Sequence, residues 1–141
     1  MLMRIELTLP RDARYVGVLR EMSGCALGEL AVAEDEVDDI RLALSEACAN
    51  AVRHAAGTKS YRVRLDVDEE RCEIEVADIG PGLQAGIPES VEESEAESGR
   101  GLQLMRSLMD DFELAGDGVG TTILLRKRWR QAVARSPAEP A

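Results

Sequence analysis

Two runs that alternate without a break, YRVRLDV at 61–67 and RCEIEVAD at 71–78, constrain this chain more than any other feature. Every second residue is apolar from Tyr61 to Val67 in the first and from Cys72 to Val76 in the second, which is the period of a half-buried strand. A short charged link at 68–70 separates them, so together they read as a β-hairpin. Such a hairpin has one apolar face and one charged face. It needs a covering layer on the apolar side and can leave the other side to water.

Other segments can supply that layer. MRIELTL at 3–9 alternates, with Ile5, Leu7 and Leu9 on one face, and predicts a strand. Pro10 and Asp12 then open a helix to about Leu27, with Tyr15, Leu19, Met22 and Ala26 on one stripe. A second helix is expected from about 35 to 56, with Asp35 as its N-cap and Gly57 at its end. Its early acidic residues Glu36, Asp38 and Asp39 suit a helix N-terminus. A third helix resumes from Leu102, with Leu102, Met105 and Met109 aligned. DFELA and GTTILLRKR form a second hairpin across GDGVG. The order β-α-α-β-β-loop-α-β-β predicts an α+β two-layer sandwich, with a mixed, mostly antiparallel sheet covered on one face by helices. One domain is expected over 1–129, with a disordered tail at 130–141.

Composition narrows the partners. The formal net charge is -10, and a net negative field attracts neither nucleic acid nor an anionic membrane surface. It favours a cationic or metal-neutralised ligand, or a protein with a basic patch; simple solubility would also account for it. Cys25, Cys48 and Cys72 are odd in number and widely spaced, without zinc-site spacing, as in a reduced compartment. No leader-like or membrane-spanning run occurs, so a cytoplasmic protein is expected.

The segment LSEACANAVRHA, Leu44 to Ala55, carries polar groups that a packing helix does not need. At 100° per residue, Asn50 lies roughly 40° from Glu46, Arg53 roughly -20° and His54 roughly 80°. All four share one face and span about 12 Å of axis, comparable to a nucleotide triphosphate with its metal. Val37, Ile40, Leu44, Ala47, Cys48 and Ala51 make the opposite, core stripe. A solvated outer face could also carry such a set. Against that, Asn and His are poorer helix formers than the Lys, Gln or Glu expected there. Ala43, Ala47, Ala49, Ala51 and Ala55 are small and would leave room for a ligand. A carboxylate can serve as general base, and an amide oxygen as a hard Mg²⁺ ligand.

Two glycine-rich segments complete the picture. DIGPGL, Asp78 to Leu83, follows a strand; Asp78 can accept from an exocyclic amine, while Gly80 and Gly82 permit a sharp turn under a flat ligand. SGRGLQLM, Ser98 to Met105, reads as a Gly-x-Gly entry into a helix, whose free N–H groups suit phosphate, with Arg100 adding charge. Neither segment is specific alone.

In this order, E-x3-N-x3-H on a helix, D-x-G-x-G after a strand and G-R-G-L before a helix resemble the N, G1 and G2 boxes of the GHKL superfamily. That group includes the ATP-binding domains of gyrase, Hsp90, histidine kinases and MutL. GTT at 120–122 resembles its closing box, and the likeness covers about residues 3–128. Length and spacing are most similar to the bacterial anti-sigma-factor serine/threonine kinases. The resemblance implies that Glu46 is the general base, that Asn50 holds Mg²⁺ and that Asp78 binds the adenine amine, with Gly80, Gly82 and Leu83 shaping the base pocket. Gly99, Arg100, Gly101 and Leu102 would close over the phosphates. Thr121 and Thr122 would lie on the adenine side, Thr122 making a contact through water. Arg53 and His54 would lie beside the phosphates or support the helix, and 84–98 would be the ATP lid. The implied activity is phosphorylation of an anti-sigma-factor antagonist, together with sequestration of a sigma factor, in a possible homodimer. Arg11, Arg14 and Arg20 on the first helix are expected to point outward for such partners. The alternatives are a non-catalytic nucleotide switch and a detached histidine-kinase-like ATPase domain.

Overall fold

A computed structural model describes residues 1–54, 59–78, 96–116 and 120–131, with the backbone alone for 54 and 96–99. Strand β1 (Met3–Pro10) is followed by helices α1 (Arg14–Glu29) and α2 (Glu34–His54). Strands β2 (Ser60–Val67) and β3 (Arg71–Asp78) come next. Helix α3 (Ala96–Leu108) and strands β4 (Asp111–Gly116) and β5 (Thr121–Arg128) complete the order. The five strands form one sheet in the order β1-β2-β3-β5-β4, and every neighbouring pair is antiparallel. The expected α+β two-layer sandwich is present.

Alternation decides the faces. On β2 and β3, Tyr61, Val63, Leu65 and Val67 and then Cys72, Ile74, Val76 and Asp78 are buried beneath the helices. The opposite face carries a charge ladder across all five strands. Arg4 binds Asp66 at 2.7 Å, and Arg64 reaches Asp66, Glu73 and Glu75. Arg126 pairs with Glu73 at 2.7 Å and with Glu113 at 3.5 Å. Most of these side chains are partly buried by their cross-strand neighbours, and together they keep an open sheet face from presenting apolar surface.

Helix α2 lies over the sheet with Val37, Ile40, Leu44, Ala47, Cys48 and Ala51 buried, as its sequence periodicity required. Burial pushes the Cys48 thiol up to about 12, and the Cys72 thiol also rises, so both behave as small apolar groups. Helix α1 differs from expectation. Its buried residues are Leu19, Ser23 and Leu27, whereas Tyr15 and Met22 are exposed. Ser23 can turn inward because its hydroxyl donates to the Arg20 carbonyl at 3.1 Å and needs no water. Helix α2 begins at Glu34, so Asp35 sits inside the first turn and binds Arg130 instead of capping. Helix α3 begins at Ala96, so 96–98 are helical and SGRGL lies within the helix, not ahead of it. Ala96 and Glu97 are good helix formers and extend it backward through the glycines.

The chain end fastens the layers together. Lys127 donates to the Leu108 carbonyl at 2.7 Å and pairs with Asp39 at 3.3 Å, joining α3 to α2. Trp129 is buried, with its indole N–H donating to the Asp68 carbonyl at 3.1 Å. The Arg130 backbone N–H donates to the buried Glu36 carboxylate at 3.0 Å, so the docked chain runs past the boundary expected at 129. Trp129→Ala should lower unfolding free energy by about 3–5 kcal/mol, the usual cost of emptying a buried aromatic site. Arg130→Ala should leave stability nearly unchanged, because the bond to Glu36 comes from the backbone. Urea denaturation of the two variants checks both outcomes.

Candidate functional site

The polar face of α2 is seated at the edge of the covered layer. Glu46 is half-buried, Asn50 is 7% exposed and Arg53 is exposed. Ala43, Ala47 and Ala51, expected to leave room for a ligand, are buried against the protein interior instead. They act indirectly, because small side chains let the helix approach closely and carry Asn50 down with it. Of that set, Ala49 stays half-exposed, while Ala55 lies outside the described residues.

Glu46 meets α3 at Gly101. A β-carbon placed on Gly101 would come within 2.9 Å of Glu46 Oε1, so any side chain here would push the Glu46 carboxylate aside. Glu46, Arg53, Arg100 and Gly101, with Gln103, Leu104 and Ser107, line a cleft of about 770 Å³ between α2 and α3. A carboxylate, two guanidinium-bearing side chains and a glycine-bared helix segment thus share one concavity. On the far side of Glu46, a groove of about 510 Å³ runs between α1 and α2. It is lined by Arg14, Gly17, Arg20, Glu46, Ala49 and Arg53 among others. Glu46 and Arg53 therefore form the ridge between two concavities.

Asp78 sits at the end of β3, 7% exposed, cross-strand from Tyr61. The alternation that buries Ile74 and Val76 turns its carboxylate inward. The Thr121 backbone N–H donates to Asp78 Oδ1 at a long 3.4 Å. Burial pushes the Asp78 carboxyl above its ordinary range, and the Thr121 N–H and the charge of Arg11 oppose that rise. Thr121 is buried on the same side of the sheet. Thr122, expected on the adenine side, points to the other face, where it lines a concavity with Thr8, Arg62 and Ala77. Ile123 and Leu125 enter the core, and strand alternation then sends Thr122 outward.

The structure thus gathers Glu46, Arg53, Arg100 and Gly101 in one cleft, with Leu102 half-buried beside them on α3. Asp78 and Thr121 meet at the end of the sheet. Gly80, Gly82, Leu83, the 84–95 part of the expected lid and the side chain of His54 lie outside the described residues, and of Gly99 the helical backbone is described. Arg11, expected to point outward to a partner, does not do so. It is half-buried instead, its Nε donating to the Val52 carbonyl of α2 at 2.7 Å. No sequence pattern marks it, since the contact spans 41 residues.

Because the folded Asp78 carboxyl is raised, the folded state holds its proton to higher pH than the unfolded chain does. Its stability penalty therefore appears as pH climbs through the window above the ordinary carboxylate value and is fully present above it. Asp78→Asn should stabilise the ligand-free protein at pH 7, and the gain should shrink towards about pH 4. Denaturant titrations of both proteins at the two pH values check the sign.

Residues 9–127 match the family of histidine kinase-like ATPase domains. The serine-protein kinase RsbW of Bacillus licheniformis is 38% identical over 136 residues, covering 87% of this chain and 84% of that protein. RsbW of Bacillus subtilis is 34% identical over the same shares, and RsbW of Bacillus cereus is 30% identical over 97% of this chain and 92% of that protein. In fold, the RsbU and RsbW domains of a Mycobacterium tuberculosis protein superpose with a TM-score of 0.71 at 20% identity, covering 95% of this chain and 35% of that one. The chain belongs to the histidine kinase-like ATPase family and, within it, to the serine-protein kinases of the RsbW kind.

Proposed function

We propose that this chain is an ATP-dependent serine/threonine protein kinase that phosphorylates an anti-sigma-factor antagonist and sequesters a sigma factor. The observation that carries the catalytic part is Glu46 on the ridge between two concavities. In this reading the nucleotide phosphates enter the α2–α3 cleft beside Arg53 and Arg100. The acceptor hydroxyl arrives from the α1–α2 groove. Glu46 takes the hydroxyl proton while the oxygen bonds to the terminal phosphorus, and ADP leaves with the electrons of the broken P–O bond. Arg53 and Arg100 would offset the phosphate charge, and Gly101 would keep Glu46 in place.

Asn50 fits a Mg²⁺ role by its chemistry. Mg²⁺ in phosphoryl-transfer sites keeps several waters and takes one or two protein oxygens plus phosphate, and a buried amide oxygen one turn from Glu46 is such a ligand. Among the described residues no cluster of three or more His, Cys, Asp or Glu offers an all-protein cage. The ion, when bound, would neutralise and orient the phosphates. Asp78 would accept from the adenine amine.

Partner binding is supported by α1. Its exposed Tyr15, Val18 and Met22 accompany Arg20 on a chain of net charge -10. Among the described residues no helix is long and apolar enough to cross a membrane; a cytoplasmic location and a homodimer are parts of this same proposal.

Glu46→Gln should retain ATP binding and lose phosphotransfer by roughly 10²–10⁴-fold. Gly101→Ala should fold normally, since the displaced atom ends a flexible side chain, yet lose much of the same activity. Radiolabel transfer to the antagonist, beside calorimetric ATP binding, measures both; full-rate transfer by Glu46→Gln removes Glu46 as base. Arg20→Glu should weaken sigma-factor capture in a pull-down while leaving ATP affinity unchanged.

A further inference from the structure

Strand β1 stands at one edge of the sheet, with β2 on one side and, among the described residues, no strand on the other. Its pairing with β2 runs without a bulge from Met3 opposite Val67 to Pro10 opposite Ser60. The Arg11 N–H donates to the Lys59 carbonyl at 2.9 Å and continues the same register. On the far side of β2 the Asp68 N–H donates to the Arg71 carbonyl at 2.9 Å. Alternate residues of an antiparallel ladder bond to a given neighbour, so these two contacts fix the phase. Met3, Ile5, Leu7 and Leu9 bond to β2, whereas Arg4, Glu6 and Thr8 turn their backbone N–H and C=O groups outward. Pro10 falls in the outward set, where its missing N–H removes no bond to β2.

An edge of this kind is usually blunted by a bulge, a lysine, an inward-pointing charge or a covering segment. Strand β1 has no lysine, its inward positions are Met3, Ile5, Leu7 and Leu9, and its register is unbroken. Met3, Ile5 and Leu7 are half-buried, yet their partners Val67, Leu65 and Val63 on β2 are at most 3% exposed. The inner residues have a strand on both sides, and those of β1 have one on a single side. A strand added to this edge would complete the ladder and the burial together.

We propose that the added strand is β1 of a second copy of this chain, paired antiparallel about a twofold axis through Ile5. The segment MRIEL, Met3 to Leu7, is complementary to itself about its centre. Ile5 would face Ile5 of the partner subunit, and Met3 would face Leu7 of the partner subunit. Arg4 would lie opposite Glu6 of the partner subunit, and the axis makes the second such pair. The outward-turned backbone groups of Arg4 and Glu6 are then the ones that bond across the axis. Charge selects this register. Glu6 has no ion-pair partner among the described residues, and the Arg4 side chain, bound to Asp66 at 2.7 Å, is still 48% exposed. An axis through Arg4 or through Glu6 would set like charges opposite each other, which is destabilising. An axis through Leu7 would put Arg4 opposite Pro10, which has no N–H to give. This inference rests on the homodimer reading above and supplies its surface.

The test is sedimentation equilibrium of the full chain with two single variants, Arg4→Glu and Glu6→Arg. Each makes the two reciprocal pairs repulsive, and each should weaken self-association by roughly tenfold or more. An equimolar mixture of the two variants should regain dimer at the wild-type Kd, because each supplies the charge that the other lacks. That rescue also separates a pairing effect from damage to the fold through the lost Arg4–Asp66 bridge. A wild-type protein that is monomeric throughout overturns this surface and the homodimer reading together. Wild-type dimers with both variants unaffected overturn the β1 edge alone. Variants that dissociate without rescue in the mixture overturn the register through Ile5.

Discussion

The close seating of α2 on the sheet is the contact on which the rest depends. Ala43, Ala47, Cys48 and Ala51 have little side-chain bulk and are almost wholly buried, so the helix backbone approaches the strands closely. That approach lowers Asn50 to the protein interior and leaves Glu46 half-exposed at the rim. Larger residues at the three alanines would lift the polar face away from β3 and α3. The alanines therefore serve the site from behind, by setting its depth.

Two buried carboxylates show how the protein separates structure from function. Glu36 is 3% exposed and accepts from the Arg130 N–H at 3.0 Å, within a junction that also holds Trp129. Asp78 is 7% exposed but accepts from the Thr121 N–H at a longer 3.4 Å, and burial pushes its carboxyl above the ordinary range. The first arrangement fastens the chain end to α2. The second holds a carboxyl inward at the end of the sheet, where burial disfavours its charged form and costs stability.

The sheet divides labour between its faces in the same way. Its inner side supplies the core and Asp78, while its outer side is closed by ion pairs among Arg4, Asp66, Arg64, Glu73, Arg126 and Glu113. Glu46 at the junction of the α2–α3 cleft and the α1–α2 groove puts one carboxylate on the rim of two concavities. Helix α1 forms the far wall of the second groove and exposes Tyr15, Val18 and Met22 along its outer side.

Strict local periodicity let the sequence by itself determine the hairpins, the α2 core stripe and the inward direction of Asp78. Alternation with period two leaves a residue no choice of face once its neighbours are buried. The spacing of Glu46, Asn50 and Arg53 was likewise fixed by helical geometry. Four features were decided by tertiary structure. The phase of TTILL is ambiguous in sequence because Ile123, Leu124 and Leu125 are all apolar; pairing with β3 and β4 placed Thr121 inside and Thr122 outside. The inner face of α1 departs from its apolar stripe because Ser23 satisfies its hydroxyl locally and can be buried. Arg11 faces α2 across 41 residues of chain, and Gly101 meets Glu46 across the gap between two helices. Contacts of that kind have no period in the sequence, because they depend on where separate elements come to rest against one another.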